Sequence, residues 1–309
     1  MKFKLVYENH GNYGIHVGDY FLTLKYGLES LGHTADIEYG FSPGYTNIVL
    51  ECFSDSFAEK VEQAWRPGTK LIVVATEFLT GQTFNDIYQE SDDISSKTDQ
   101  NQRRDFWKMR YDNFIRLLPR MTAVWHVADQ QVPVYKAAFT DTHVDYLPHG
   151  YTEKFATVHH RADDEKDIDV LFTGTITRYR QDILNELKHA GLNVASSILF
   201  TAPFHRDDLI SRSKLVLNIK QHPSWQHESV TRLYYHITND SLLVTDECQY
   251  PTDLHDYVIQ REASWLQSIK KQIALGNFSA RAKAIRLQFA NERPIDQLFS
   301  KLLNQSGVT

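Results

Sequence analysis

The sequence predicts an α/β protein of two domains, each a mostly parallel sheet covered by helices, on three observations. A chain of 309 residues suits two domains of about 150 residues, each able to bury its own core. Short apolar runs alternate with helix-like stretches in both halves. Between the halves, "TEKFATVHHRADDEKDI" is polar and lacks apolar periodicity, which suits a linker. The expected boundaries are 1–152, a linker at 153–167, and 168–309.

The elements follow in order. "FKLVY" opens as a compact strand, and "DYFLTLKYGLESLG" places Phe21, Leu24, Leu28 and Leu31 at helical spacing. Asp19 is its expected N-cap and Gly32 its C-terminal stop. "ADIEY", "NIVLE", "KLIVVA", "AVWHV" and "HVDYL" are each of strand length, with helical or irregular stretches between them, as a parallel sheet buried on both faces requires. The stretch from Asn85 to Leu118 begins as a polar loop and becomes amphipathic around Phe106, Met109, Phe114 and Leu117. It reads as a solvated helix over the sheet, or as a mobile flap near a substrate. The second half restarts with "DVLFTG", "RQDILNELKHAG", "NVASSILF", "RDDLISRS", "KLVLNI", a helix led by Glu228, and "LLVTD". "PIDQLFSKLLNQ" is a terminal helix able to pack on either domain. No short-period repeat is visible, so any duplication is architectural.

Composition narrows the function. Apolar residues at 42% and charged residues at 23% are ordinary globular values, which disfavours wholesale disorder. A formal charge of −6 disfavours nucleic acid as a partner, since phosphate binding usually needs a basic face. Cys52 and Cys248 lack metal-ligand spacing and read as reduced, buried thiols. The apolar run in "MKFKLVYENHG" is too short for a signal peptide, and no stretch approaches the roughly 18 apolar residues of a membrane span. The expectation is a cytoplasmic protein with at most peripheral membrane contact.

Two open α/β domains facing one another bring the carboxyl ends of their strands around a common cleft, where ligands bind. Four polar loops fall at such ends. In "ENHGNYGIHVGDY", Gly11, Gly14 and Gly18 permit close backbone approach, while His10, His16 and Asp19 can accept protons or hydrogen bonds; a helix-capping turn fits equally well. In "FTGTITRYR", Gly174, Thr175 and neighbouring hydroxyls can bring backbone amides to a phosphate, with Arg178 or Arg180 pairing its charge at a helix N-terminus; the bland alternative is simple capping. In "LNIKQHPSWQHESVTR", Lys220 emerges from an apolar strand, and Glu228 and Arg232 lie one turn apart. These last two form either an intrahelical pair or ligand contacts. In "LPHGY", His149 ends the first domain beside the linker. Glu77 after "KLIVVAT" and His126 in "VWHV" are further strand-end residues for the acceptor side. The first loop is not G-x-G-x-x-G and the second is not a phosphate-binding G-x-x-x-x-G-K-[ST].

In this order, "LESLGHTADI", "LPHGY", "DVLFTGTITRYRQDIL", "SKLVLNIK" and "ESVTRLYYHITNDSLLVTDE" resemble the GT-B glycosyltransferases of two Rossmann-like domains, over nearly the whole chain. The resemblance implies a nucleotide-sugar donor in the C-terminal domain, an acceptor (glycan, lipid-linked or other small molecule) mainly in the N-terminal domain, and transfer between them. By position, Glu228 would contact the nucleotide ribose, while Arg178, Lys220 and Arg232 would steady the phosphates. Many retaining members carry a second glutamate eight residues after the first; His236 stands there instead.

Breaking a sugar–phosphate bond develops negative charge on the leaving diphosphate, which fixed cations stabilise without a metal or any cofactor beyond the donor. "DID" at 167–169 precedes a strand in a charged linker and is read as chance. An inverting reaction needs a base for the acceptor hydroxyl, with His10, His16, Asp19 and Glu77 as candidates. The expected role is building a bacterial-type surface glycan or glycoconjugate. The alternatives are a sugar-nucleotide epimerase or hydrolase on the same frame, and a non-catalytic nucleotide or sugar sensor. "HPS" is similar to the His-Pro motif of CMP-sugar transferases and keeps a CMP-linked donor open.

Overall fold

A computed structural model describes residues 1–10, 17–85, 100–197 and 201–308. The described chain divides into two compact units. One holds residues 1–85, 100–150 and 295–308, the other 151–197 and 201–294.

The first unit runs β1 (Lys2–Val6), α1 (Gly18–Ser30), β2 (Thr34–Glu38), β3 (Thr46–Leu50), α2 (Asp55–Ala64), β4 (Lys70–Ala75), a small antiparallel pair β5 (Leu79–Thr80) and β6 (Thr83–Phe84), α3 (Gln100–Leu117), β7 (Met121–His126), α4 (Val132–Ala138) and β8 (His143–Tyr146). Its six-stranded parallel sheet has the order β2-β1-β3-β4-β7-β8. All five residues of β3 are buried, and all of β4 beyond Lys70. Continuous apolar strands such as "NIVL" and "LIVVA" are what a sheet covered on both faces selects. One face packs on α1 through Phe21, Leu24 and Leu28, and the other on α2 and α3 through Phe57, Val61, Phe114 and Leu117.

The second unit runs β9 (Ile168–Phe172), α5 (Arg178–His189), β10 (Val194–Ser196), α6 (Pro203–Ser211), β11 (Ser213–Asn218), α7 (Val230–Thr238), β12 (Leu243–Thr245), β13 (Ile259–Gln260), α8 (Trp265–Leu275) and α9 (Phe278–Glu292). Its parallel sheet has the order β10-β9-β11-β12-β13. Both sheets place their second strand beside the first on the side opposite the third. The duplication is therefore of topology, and each sheet reverses direction between its first and third strands, the position where open α/β sheets hold ligands.

After α9 the chain returns to the first unit as α10 (Ile295–Gln305). Ile295, Phe299, Leu302 and Leu303 are buried in the core beneath α1, each contributing about 1.5–3 kcal/mol before the entropy of ordering is counted. Gly27 makes this approach possible: a Cβ there would lie 2.6 Å from two atoms of the Phe299 ring. Trp125 donates its indole N–H to Ser306 Oγ at 2.8 Å, tying the last turn to β7.

Local details differ from the sequence expectation at helix starts. Val17 stands at the N-cap of α1 and Asp19 lies within its first turn. Gly32 does stop the helix, with a φ of +76° open to glycine. Glu228 precedes α7 rather than leading it, with Ser229 at the cap. In α3 the buried face carries Arg110, Asn113, Phe114 and Leu117, whereas Phe106 is exposed. The helices α8 and α9 and the short strands β5, β6 and β13 were not expected. No helix among the described residues is long and apolar enough to cross a membrane.

Candidate functional site

In the second unit the polar loops after β9 and β11 are pinned to each other. Arg180, buried in the first turn of α5, donates through Nη1 to the Thr175 carbonyl at 2.8 Å and through Nε to the carbonyls of Ile219 at 3.0 Å and Lys220 at 3.1 Å. Thr177 caps α5, accepting from the Arg180 amide, and its hydroxyl donates to the Gln221 carbonyl at 2.7 Å. These bonds fix the Gly174–Thr175 turn beside the Lys220 turn. Gly174 has a φ of +134°, which a side chain would strain, and its amide donates to Ser197 Oγ at 3.3 Å.

Arg232 enters this turn from the first turn of α7. Its Nε donates to the Thr173 carbonyl and its Nη1 to Asn218 Oδ1, each at 2.8 Å. Its Nη2 lies 2.5 Å from where a Cβ on Gly174 would stand, so only glycine leaves room for it. The guanidinium also sits over the Phe172 ring, 5.0 Å from the centroid. Among the described residues no carboxylate pairs with it, and burial lowers its pKa to about 10. Among the described residues Lys220 bonds only to the Pro223 carbonyl, at 3.2 Å, and Arg178 lies exposed at the start of α5. Together these groups make a cationic, amide-rich turn suited to phosphate.

Glu228 does not pair with Arg232. Its side chain is fully buried and accepts four hydrogen bonds: from the Thr252 amide at 3.1 Å, the Thr252 hydroxyl at 3.2 Å, His255 Nδ1 at 2.6 Å and the Thr245 hydroxyl at 3.4 Å. Asn218 completes a bridge between the two charged residues, donating Nδ2 to Thr245 Oγ1 at 3.0 Å while accepting from Arg232. His236, fully buried, lies 3.3 Å from Thr173 Oγ1, and burial together with the nearby Arg232 and Arg206 holds it neutral.

The first unit has its own charged cluster at the ends of β3 and β4. Arg110 donates to Glu51 Oε1 at 2.6 Å, to the Glu51 carbonyl, and to Glu77 Oε1 at 3.0 Å. Glu51 is completely buried and burial pushes its pKa up to about 8, against the attraction of Arg110. The Glu77 side chain is one-fifth exposed and accepts from Asn85 Nδ2 at 2.5 Å. His126, expected to line a cleft, is fully buried: Nδ1 accepts the Ala128 amide at 2.9 Å, so Nε2 carries the proton and donates to the Glu77 carbonyl at 3.0 Å. Its ring therefore braces the backbone of Glu77.

The structure thus gathers Gly174, Thr175, Lys220 and Arg232 at one turn, with Arg178 at the start of α5 and Glu228 one bridge away. Glu77 and His126 form a second group, in the other unit. His149 is buried at the end of the first unit, and His10 and Asp19 flank the residues 11–16. Gly11, Gly14 and His16 lie outside the described residues. Sequence reasoning missed Asn218, Thr245, Ser197, Glu51, Arg110 and His255. Asn218, Thr245 and Glu51 carried the same signal as Lys220, a polar residue closing an apolar strand. Both cysteines are free and half-buried, and no group of three or more His, Cys, Asp or Glu among the described residues is placed to hold a metal ion.

No family model and no curated protein matches the chain. Solved structures do. The N-terminal domain of Candida albicans trehalose-6-phosphate phosphatase superposes with a TM-score of 0.54 at 8% identity, covering 99% of this chain and 96% of that one. TarM superposes with a TM-score of 0.50 at 10% identity over 85% of this chain. An S. aureus TarM variant in complex with Fondaparinux, alpha-GlcNAc-glycerol and UDP gives 0.50 at 11% identity over 84%. The chain spans about half the length of TarM, 54% and 55% in the two structures. At such identities the likeness is one of fold: the chain has the two-domain α/β fold of the GT-B glycosyltransferases.

Proposed function

We propose that the protein is a metal-independent glycosyltransferase that takes a sugar from a nucleoside-diphosphate donor and passes it to a glycan or glycoconjugate. The observation that carries this reading is Arg232, a half-buried guanidinium with no carboxylate partner among the described residues, aimed at a glycine turn. A cation held in this way gains when an anion arrives. The diphosphate is assigned to Arg232, Lys220, Arg178 and the amides of Gly174 and Thr175. In the transfer, the bond from the anomeric carbon to the phosphate oxygen breaks and a bond to the acceptor oxygen forms. The acceptor hydroxyl passes its proton to a carboxylate base, and the negative charge left on the diphosphate is stabilised by the three cations.

The first unit is assigned to the acceptor, with Glu77, oriented by Arg110 and Asn85, as the carboxylate toward the acceptor hydroxyl. UDP is the first nucleotide to try, because the TarM variant of the same fold was solved with it. The test is calorimetric titration of UDP, GDP, dTDP, ADP and CMP, followed by incubation of the matching sugar nucleotides with glycan acceptors in the presence of EDTA. Saturable binding and acceptor-dependent release of nucleoside diphosphate in EDTA are expected. Release at the same rate without acceptor would mark a hydrolase, and absence of any nucleotide binding would overturn the reading.

A further inference from the structure

We infer that His255 makes the contact with the nucleoside ribose, and that Glu228 is a positioning residue that holds it. The inference rests on the donor site proposed above and assigns a residue to it. Glu228 is unavailable to a ligand as it stands: its carboxylate is enclosed, and both oxygens already accept two hydrogen bonds each. Three of those donors come from Thr252 and His255, so the buried charge acts as the anchor of the chain between β12 and the start of β13.

His255 is the member of this set that reaches the surface. Its side chain is 16% exposed, its Nδ1–H is fixed on Glu228 at 2.6 Å, and its Nε2 has no hydrogen-bond partner among the described residues. A carboxylate on one ring nitrogen sets the orientation of an imidazole and leaves the other nitrogen to serve a ligand. The bridge Glu228–Thr245–Asn218–Arg232 ties the ring to the phosphate turn across the carboxyl tips of β11 and β12. Anchored from the same strand ends as the guanidinium, Nε2 is assigned to a hydroxyl of the ribose whose diphosphate Arg232 holds.

The test is a cycle between protein and ligand. Calorimetric titration of UDP, 2′-deoxy-UDP and 3′-deoxy-UDP is carried out on wild type, His255→Asn and His255→Gln, with the melting temperature of each protein recorded. Asn keeps a donor near the position of Nδ1 and has nothing at Nε2, whereas the longer Gln places its amide near Nε2. Wild type should bind one deoxy analogue about tenfold more weakly than UDP, the loss of a hydrogen bond of ordinary to charge-assisted strength. In His255→Asn, UDP should weaken about tenfold, to the affinity of that analogue, while the analogue itself binds unchanged and the melting temperature holds. His255→Gln should recover part of the discrimination even where its melting temperature falls. If wild type binds UDP and His255→Asn keeps the full deoxy penalty, the assignment of His255 is wrong while the donor site stands. If wild type binds none of UDP, GDP or ADP, the donor site falls and the assignment with it.

Discussion

Arg232→Met separates the cost of a functional charge from its use. Burial lowers the guanidinium pKa to about 10, a cost on the order of 3 kcal/mol. The sign is that of a cation disfavoured by its site. The cost is fully present below about pH 10 and fades only as pH rises above that value, so it acts in full at pH 7. Against it stand the bonds to the Thr173 carbonyl and Asn218 Oδ1, worth roughly 1–1.5 kcal/mol each. The two sides nearly cancel, and the methionine stem keeps the contact with Phe172. Arg232→Met should therefore unfold in urea at pH 7 within about 1 kcal/mol of wild type, although a side chain anchoring two strand ends is gone. Binding should suffer far more. Loss of a charged hydrogen bond to phosphate, about 1.5–3 kcal/mol, should weaken UDP roughly 10- to 150-fold by calorimetry. A variant less stable by 3 kcal/mol or more with UDP affinity intact would refute this reasoning and make Arg232 a structural tie.

In the first unit, Arg110→Met leaves Glu51 and Glu77 in one site without their shared guanidinium, and should cost about 3–5 kcal/mol at pH 8. A carboxyl whose folded pKa lies above its unfolded value costs stability once pH exceeds the unfolded value, and acid relieves that cost. The loss measured by urea unfolding should thus shrink at pH 5, and equal losses at the two pH values would count against the account. Gly27→Ala should cost roughly 1–3 kcal/mol in the same assay by driving a methyl into the Phe299 ring, and Phe299→Leu in the Gly27→Ala background should recover part of it.

The alternation of apolar runs and amphipathic stretches determined most of this fold. Strands such as "NIVLE", "KLIVVA" and "KLVLNI" must be buried on both faces, a requirement visible residue by residue, and the polar residues at or just beyond their ends mark where ligands meet a parallel sheet. Lys220, Arg232 and the Gly174 turn were legible for that reason. The partners of Glu228 were not. The sequence offers Arg232 one turn away, but the carboxylate turns instead to Thr245, Thr252 and His255, up to 27 residues further on. Such contacts depend on how the crossover after β12 folds back over the sheet, and that has no period in the chain. Arg110 was hidden likewise, since a charged residue on a mixed helix reads as solvated until the sheet end beneath it proves to carry Glu51. The terminal helix could suit either domain by its apolar stripe alone. The space left at Gly27 and the hydroxyl of Ser306 beneath Trp125 fit it to the first, and shape complementarity of that kind exists only once both surfaces have folded.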